Sequence, residues 1–283
     1  MRNWTLLLAL FIGLQLSAQD AEWTSIKDIN PFIGTGGHGH THPSAQAPFG
    51  MIQLGPNTRY DGWDGCSGYH YTDSAMYGFT CTHLSGTGVS DYGDLLILPY
   101  SSPTKEGDHI KFFKEDEHAQ AGYYACILDD GTRIEATAGD RIGKLRLHFP
   151  RNSSPGIMVD LNFRDRVLKQ DFSALGAGKF EGRRISEGWA REQHFYFGFE
   201  VSPAPDSVWK LSPGVYWLSL PEGTVDAEVS IGMSGTSEKG AWTNFFGEEA
   251  FRPFEDVFTE TQEKWLKELA KSKVKSALPD QRA

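Results

Sequence analysis

Tyr123-Tyr124-Ala125-Cys126-Ile127-Leu128-Asp129-Asp130-Gly131-Thr132-Arg133-Ile134-Glu135-Ala136-Thr137 decides how the chain is read. Two runs, Tyr123 to Leu128 and Thr132 to Thr137, flank Asp130-Gly131, a strong hairpin turn signal. Outward from this hairpin the pattern repeats. Leu145, Leu147 and Phe149 alternate with Arg146 and His148, which puts one face in a core and one in water. Ile157 to Phe163 is a further run. Phe195, Phe197, Phe199 and Val201 share one face, with Tyr196, Gly198 and Glu200 on the other. Val215 to Leu220, the turn Pro221-Glu222-Gly223 and Val225 to Ile231 read as another hairpin. Closely spaced strands with turn signals from Ile110 onward predict a mainly β protein, a β-sandwich.

The C-terminal stretch has a different period. Phe254, Val257, Phe258, Trp265, Leu266 and Leu269 recur near every 3.6 residues. Glu255 and Asp256 lie early, and Lys267, Lys271, Lys273 and Lys275 lie late, an order that suits the helix macrodipole. The pattern predicts one amphipathic helix from about Phe254 to Lys275, opened by Pro253, whose apolar stripe needs a partner surface. At the other end, Arg2, the apolar run Trp4 to Leu16 and small Ser17-Ala18 read as a signal peptide over 1–18. The run is too short to span a bilayer comfortably, so no membrane span is expected after cleavage. The expected organisation is a signal over 1–18, a β domain over 19–252, and a helix with a polar tail over 253–283. Export, to the periplasm or beyond the cell, follows from that signal.

Composition narrows the function. The 283 residues are 39% hydrophobic and carry a formal charge of −10, so there is enough apolar surface for a core and no basic stripe. A polyanion would meet a repulsive field, which argues against nucleic acid; a neutral sugar is not penalised. The cysteines are Cys66, Cys81 and Cys126, with no C-x-x-C pair. Each reads first as a small buried hydrophobe, with a Cys66–Cys81 bridge left open by the spacing.

The informative segment is Ile29 to Pro99. It contains Asn30-Pro31-Phe32-Ile33-Gly34-Thr35-Gly36-Gly37-His38-Gly39-His40-Thr41, then Pro48-Phe49-Gly50-Met51-Ile52-Gln53-Leu54. Gly62-Trp63-Asp64-Gly65-Cys66-Ser67-Gly68-Tyr69-His70-Tyr71 and His83-Leu84-Ser85-Gly86-Thr87-Gly88 follow. Dense glycine permits close backbone approach to a ligand, and the interleaved rings suit the apolar face of a sugar. A structural loop with packed aromatics fits the same residues. The glycine runs lack the ending of a phosphate-binding loop and open no helix after a strand. His38, His40 and His42 alternate without a carboxylate partner, so packing is favoured over a metal centre. Ser67 has no nucleophile elbow around it. Asp61 with Asp64, and Asp91 with Asp94, are spaced as candidate acid/base pairs, but turn formation and capping are the favoured reading.

These four strings, in this order, resemble glycoside hydrolase family 92, calcium-dependent exo-α-mannosidases that are mostly secreted bacterial enzymes. The resemblance is dense from Ile29 to Pro99 and looser to Ser237 and the helix. It implies a β-supersandwich of mutarotase-like fold, then a linker helix, then an (α/α)6 barrel, with the pocket between the two domains. This sequence stops after the linker helix. The resemblance places both catalytic carboxylates of the inverting reaction, and most calcium ligands, in that barrel. No catalytic residue, no metal ligand and no cofactor of its own is therefore expected here. The residues that carry over are the N-terminal wall of the sugar pocket: Gly36 and Gly37 as close backbone, Trp63 as an aromatic wall, and Asp64, Cys66 and His83 nearby. The expected partners are mannose-containing glycans and a separate or missing barrel. The implied function is the N-terminal domain of an α-mannosidase-like glycoside hydrolase, a fragment or truncated paralogue inactive alone. A non-catalytic carbohydrate-binding module is the alternative, and DNA downstream of Ala283 discriminates between them.

Overall fold

The computed structural model describes residues 22, 23 and 25–278. The signal-peptide reading falls on residues outside this range. Alternating apolar residues build two antiparallel sheets. The larger has eight strands in the order 166–176, 179–187, 193–202, 226–234, 142–148, 133–138, 123–127 and 118–120. The smaller has six, in the order 207–212, 215–219, 156–160, 96–100, 78–80 and 55–57. The hairpin around Gly131 forms as the sequence predicts: Leu128 N–H donates to Thr132 O at 2.9 Å and Gly131 takes φ +88°.

Register decides which side chains meet. Phe79 pairs with Ile97, Ile97 with Val159, and Val159 with Tyr216, so these four share one face of the smaller sheet. That face meets the larger sheet: Tyr216 stacks on Phe172 at 4.2 Å, and Phe79 lies edge-on to Tyr124 at 5.7 Å. Phe195, Phe197, Phe199 and Val201 are all buried there with Leu145, Leu147, Val229 and Ile231. The mainly β, two-sheet expectation is therefore met.

One connection differs from the sequence reading. The turn at Pro221-Glu222-Gly223 forms, with Thr224 N–H on Pro221 O at 3.1 Å. The strands on either side do not pair. Val215–Ser219 lies in the smaller sheet between 207–212 and 156–160, whereas Asp226–Ser234 lies in the larger between 193–202 and 142–148. The turn carries the chain from one sheet to the other. Turn chemistry is local, and Leu218 and Val229 reach the same core from opposite sides, so periodicity could not separate the two outcomes.

Two α-helices cover the outer face of the larger sheet among the described residues. The first, α1 (Glu238–Gly247), was not read from the sequence; Ser237 Oγ caps it by accepting from Gly240 N at 3.0 Å. It packs so closely that a Cβ on Gly232 would stand 2.5 Å from Ala241 O. The second, α2 (Phe254–Leu269), begins where the sequence predicts and ends six residues earlier. Tightened bonds from Lys271 N to Glu268 O and Ser272 N to Leu269 O close it. Beyond them, Lys275–Ser276 pairs with Glu22–Trp23. The first half of its stripe folds back on the sheet, with Phe254 and Val257 buried beside Thr261 and Trp265 Nε1–H donating to Gln46 O at 2.7 Å, while Leu266 stays exposed. No helix of the described residues is long and apolar enough to cross a membrane.

Candidate functional site: an open face of converging loops

Three of the glycine-rich strings are laced together by backbone groups. Gly39 N–H donates to Gly36 O and Thr41 N–H to Gly34 O, which curls the first loop. Gly86 N–H donates to His40 O at 2.7 Å, and Ser67 Oγ–H to Thr41 O at 2.9 Å, so the first loop touches both later ones. His83 Nδ1–H donates to Ser67 O at 2.8 Å and closes the triangle. Gly39 has no substitute here: a Cβ would stand 1.9 Å from Gly34 O. That approach turns the chain so that His38 and His40, two apart, both reach Asp64. His40 holds φ +56° to do so.

The predicted site residues fall into two layers. Gly36, Gly37, Trp63 and Asp64 lie at the open face. Gly37 takes φ +57° and has empty space around its α-carbon. Trp63 is 63% exposed, lies edge-on to His40 at 5.0 Å, and its ring fills the place a Gly88 side chain would take. Asp64 accepts from His38 Nδ1–H at 2.5 Å, and this hydrogen bond holds its carboxyl below the usual range, so it is ionised. Cys66 and His83 lie beneath, fully buried. Cys66 Sγ–H points to Thr87 O. His83 is driven down to about 4 by burial, hence neutral, and stacks on His42 at 4.5 Å. All three cysteines are free and buried, so the Cys66–Cys81 bridge left open by the spacing is not made.

The histidine reading changes in one respect. His42 turns away to His83, and the carboxylate missing from the sequence pattern is Asp64. The donor atoms of His38, His40 and Asp64 lie within 4.8 Å of one another. Asp64 is a loop away, so spacing alone gives no sign of this cluster.

Residues 29–250 match the family model described as the glycosyl hydrolase family 92 N-terminal domain. The chain belongs to that family. An α-mannosidase of family GH92 from Bacteroides thetaiotaomicron is 28% identical, with a TM-score of 0.80 over 87% of this chain and 38% of its own. The same mannosidase in complex with mannoimidazole superposes equally well. A family GH92 inverting mannosidase from that organism, 21% identical with a TM-score of 0.76, shares the fold. An uncharacterized secreted glycosidase of Arthroderma benhamiae is 29% identical over 171 residues, 55% of this chain and 22% of its own. The chain thus spans well under half the length of these relatives.

As a family 92 N-terminal domain, the chain uses its buried acids structurally. Asp91 accepts from Tyr92 N and Trp189 N, both at 2.9 Å. Asp94 accepts from Thr82 Oγ1 at 2.7 Å and pairs with Arg184, which is itself wholly buried. The capping reading fits Asp91, whose carboxylate accepts from backbone N–H groups, and not Asp94, whose carboxylate meets a hydroxyl and a buried guanidinium instead. Sequence reasoning missed the network they join. Arg184 donates to Leu161 O and Phe163 O, and Arg164 Nη2 to Cys66 O at 2.9 Å beneath the loop face. Asp165, beside Asp91, is pushed up to about 7 by burial and by that neighbour. Nothing in the strand pattern marks Arg184, an apolar-facing position occupied by a cation.

The calcium that the family resemblance implies does not suit His38, His40 and Asp64. Calcium takes six to eight oxygen donors, and two of these three donors are imidazole nitrogens.

Proposed function

We propose that this domain supplies the N-terminal wall of the mannose pocket in an exported α-mannosidase-like glycoside hydrolase. The observation that carries the reading is the open loop face, where Trp63, ionised Asp64 and the bare backbone of Gly37, with Gly36 half-buried beside it, stand together. An exposed indole offers a platform for the apolar face of a sugar ring. Asp64 offers acceptors for hydroxyls, and Gly37 leaves room for close approach. Cys66 and His83 support this surface from beneath rather than touching sugar. The complex of a solved relative with mannoimidazole supports a mannose-type ligand.

In this reading the general acid, the general base and the calcium ligands come from the portion of the relatives that this chain does not span. Asp91 and Asp94 are committed to backbone and arginine, and Asp64 to His38. The β domain binds and orients, and α2 braces the larger sheet behind it. The purified chain is expected not to hydrolyse aryl α-mannosides, with or without calcium. Calcium-dependent turnover by this chain alone, abolished by Asp64→Asn, contradicts the reading.

A further inference from the structure

We propose that His38, His40 and Asp64 form a three-donor site for a divalent transition-metal ion of the zinc class. Two imidazoles and one carboxylate are a donor set that zinc, cobalt and nickel accept and calcium does not. Three protein donors also leave a position open for water. The observation that points to a ligand is His40. Its ring is 8% exposed, and Nε2 is buried without a hydrogen-bond partner, 3.8 Å from Asp64 Oδ1. A buried ring nitrogen left unpaired is unfavourable, and a metal bond would satisfy it.

The scaffold around the three is rigid where it needs to be. Gly39 and the Gly86 N–H to His40 O bond fix the backbone of the loop, and Trp63 packs against the His40 ring. His38 is the exposed member, 80% exposed on its side chain and bonded through its ring to Asp64. Metal entry replaces that bond: the Nδ1 proton leaves to water, and Nδ1 and Oδ1 move apart to flank the ion. The site shares Asp64 with the proposed sugar wall, but metal uptake is read spectroscopically without sugar. Failure of one reading therefore leaves the other standing.

The test is a titration of the untagged chain with Co²⁺, followed by its visible d–d bands, with Zn²⁺ and Ca²⁺ as competitors. One Co²⁺ per chain is expected, displaced by one equivalent of Zn²⁺ and not by a large excess of Ca²⁺. His38→Ala and Asp64→Asn should each weaken binding at least about tenfold. His38 is exposed, so its loss leaves the fold intact. His148→Ala, which removes a second exposed His–Asp pair at 2.7 Å, should leave the titration unchanged. The absence of d–d bands, displacement by Ca²⁺, or an affinity that His148→Ala lowers and His38→Ala does not, overturns the proposal.

Discussion

Phe197, Phe199 and Ile231 lie wholly buried between the sheets, while Trp63 stands 63% exposed above a floor of hydrogen-bonded loops. The first region is held by area removed from water. The second is held by backbone bonds between loops, by glycines that permit contact, and by buried arginines such as Arg164 that reach loop carbonyls. The apolar core and the exposed loop face are thus separated in space. An indole and a carboxylate left open to solvent gain little from burial, so the shape of that face is fixed from beneath. Substitutions should sort accordingly: core changes lower global stability, and loop-face changes alter binding with little cost in stability.

The largest effect is expected in the core. Phe197→Ala should cost about 3–5 kcal/mol in denaturant unfolding, through lost transfer energy and the cavity left. A cost below about 1 kcal/mol would break the contrast at its stable end.

The seam between the regions is sensitive to pH through Asp165. Its folded value of about 7 lies above the unfolded value of roughly 3.9, so the folded state binds the extra proton between them. Stability from this group is fully present below about pH 4 and lost as pH rises toward 7. Asp165→Asn mimics the protonated form and should flatten that slope, raising stability relative to the wild type above pH 7. Asp160, pushed up to about 6 by burial, leaves a residual slope of the same sign. Equal slopes in variant and wild type over this range would contradict the assignment.

Gly39→Ala sharpens the comparison on the loop side. The added Cβ meets Gly34 O, and the cost should be about 1–3 kcal/mol. Amide shifts should change across the first loop and around Asp64 while those of the sheets hold. Unperturbed loop amides would show that the close approach is not needed. The smallest stability effect belongs to Trp63→Ala, within about 0.5 kcal/mol by thermal or chemical unfolding, as for other surface changes. A loss of several kcal/mol would place Trp63 among the structural residues instead.

Legibility in the sequence follows the same division. Period-two alternation announced Phe195 to Val201 and Leu145 to Phe149 because each face has one neighbour environment. The Asp130-Gly131 turn was legible because its chemistry is local. The crossing at Pro221–Gly223 was not, since sheet partnership depends on residues far away in sequence. Helix α1 left a signal that was passed over: Ser237 before Glu238, then Ala241 and Phe245 four apart, both buried. On the loop face, the motif strings located Gly36, Gly37, Trp63 and Asp64. They did not show that Asp64 closes on His38 and His40, or that His42 turns inward to His83. Those pairings arise from how separate loops fold over one another.

The central claim, that the face of Gly36, Gly37, Trp63 and Asp64 is the sugar-facing wall, is tested most directly by backbone NMR during titration with mannose. Half a pocket encloses little of the ligand, so binding should be at about millimolar affinity or weaker. Shifts should map to the loops around Gly36, Gly37 and Trp63, with the indole signal of Trp63 moving among the largest, and they should vanish in Trp63→Ala. Shifts that instead cluster away from these loops, or that persist undiminished in Trp63→Ala, would contradict the account.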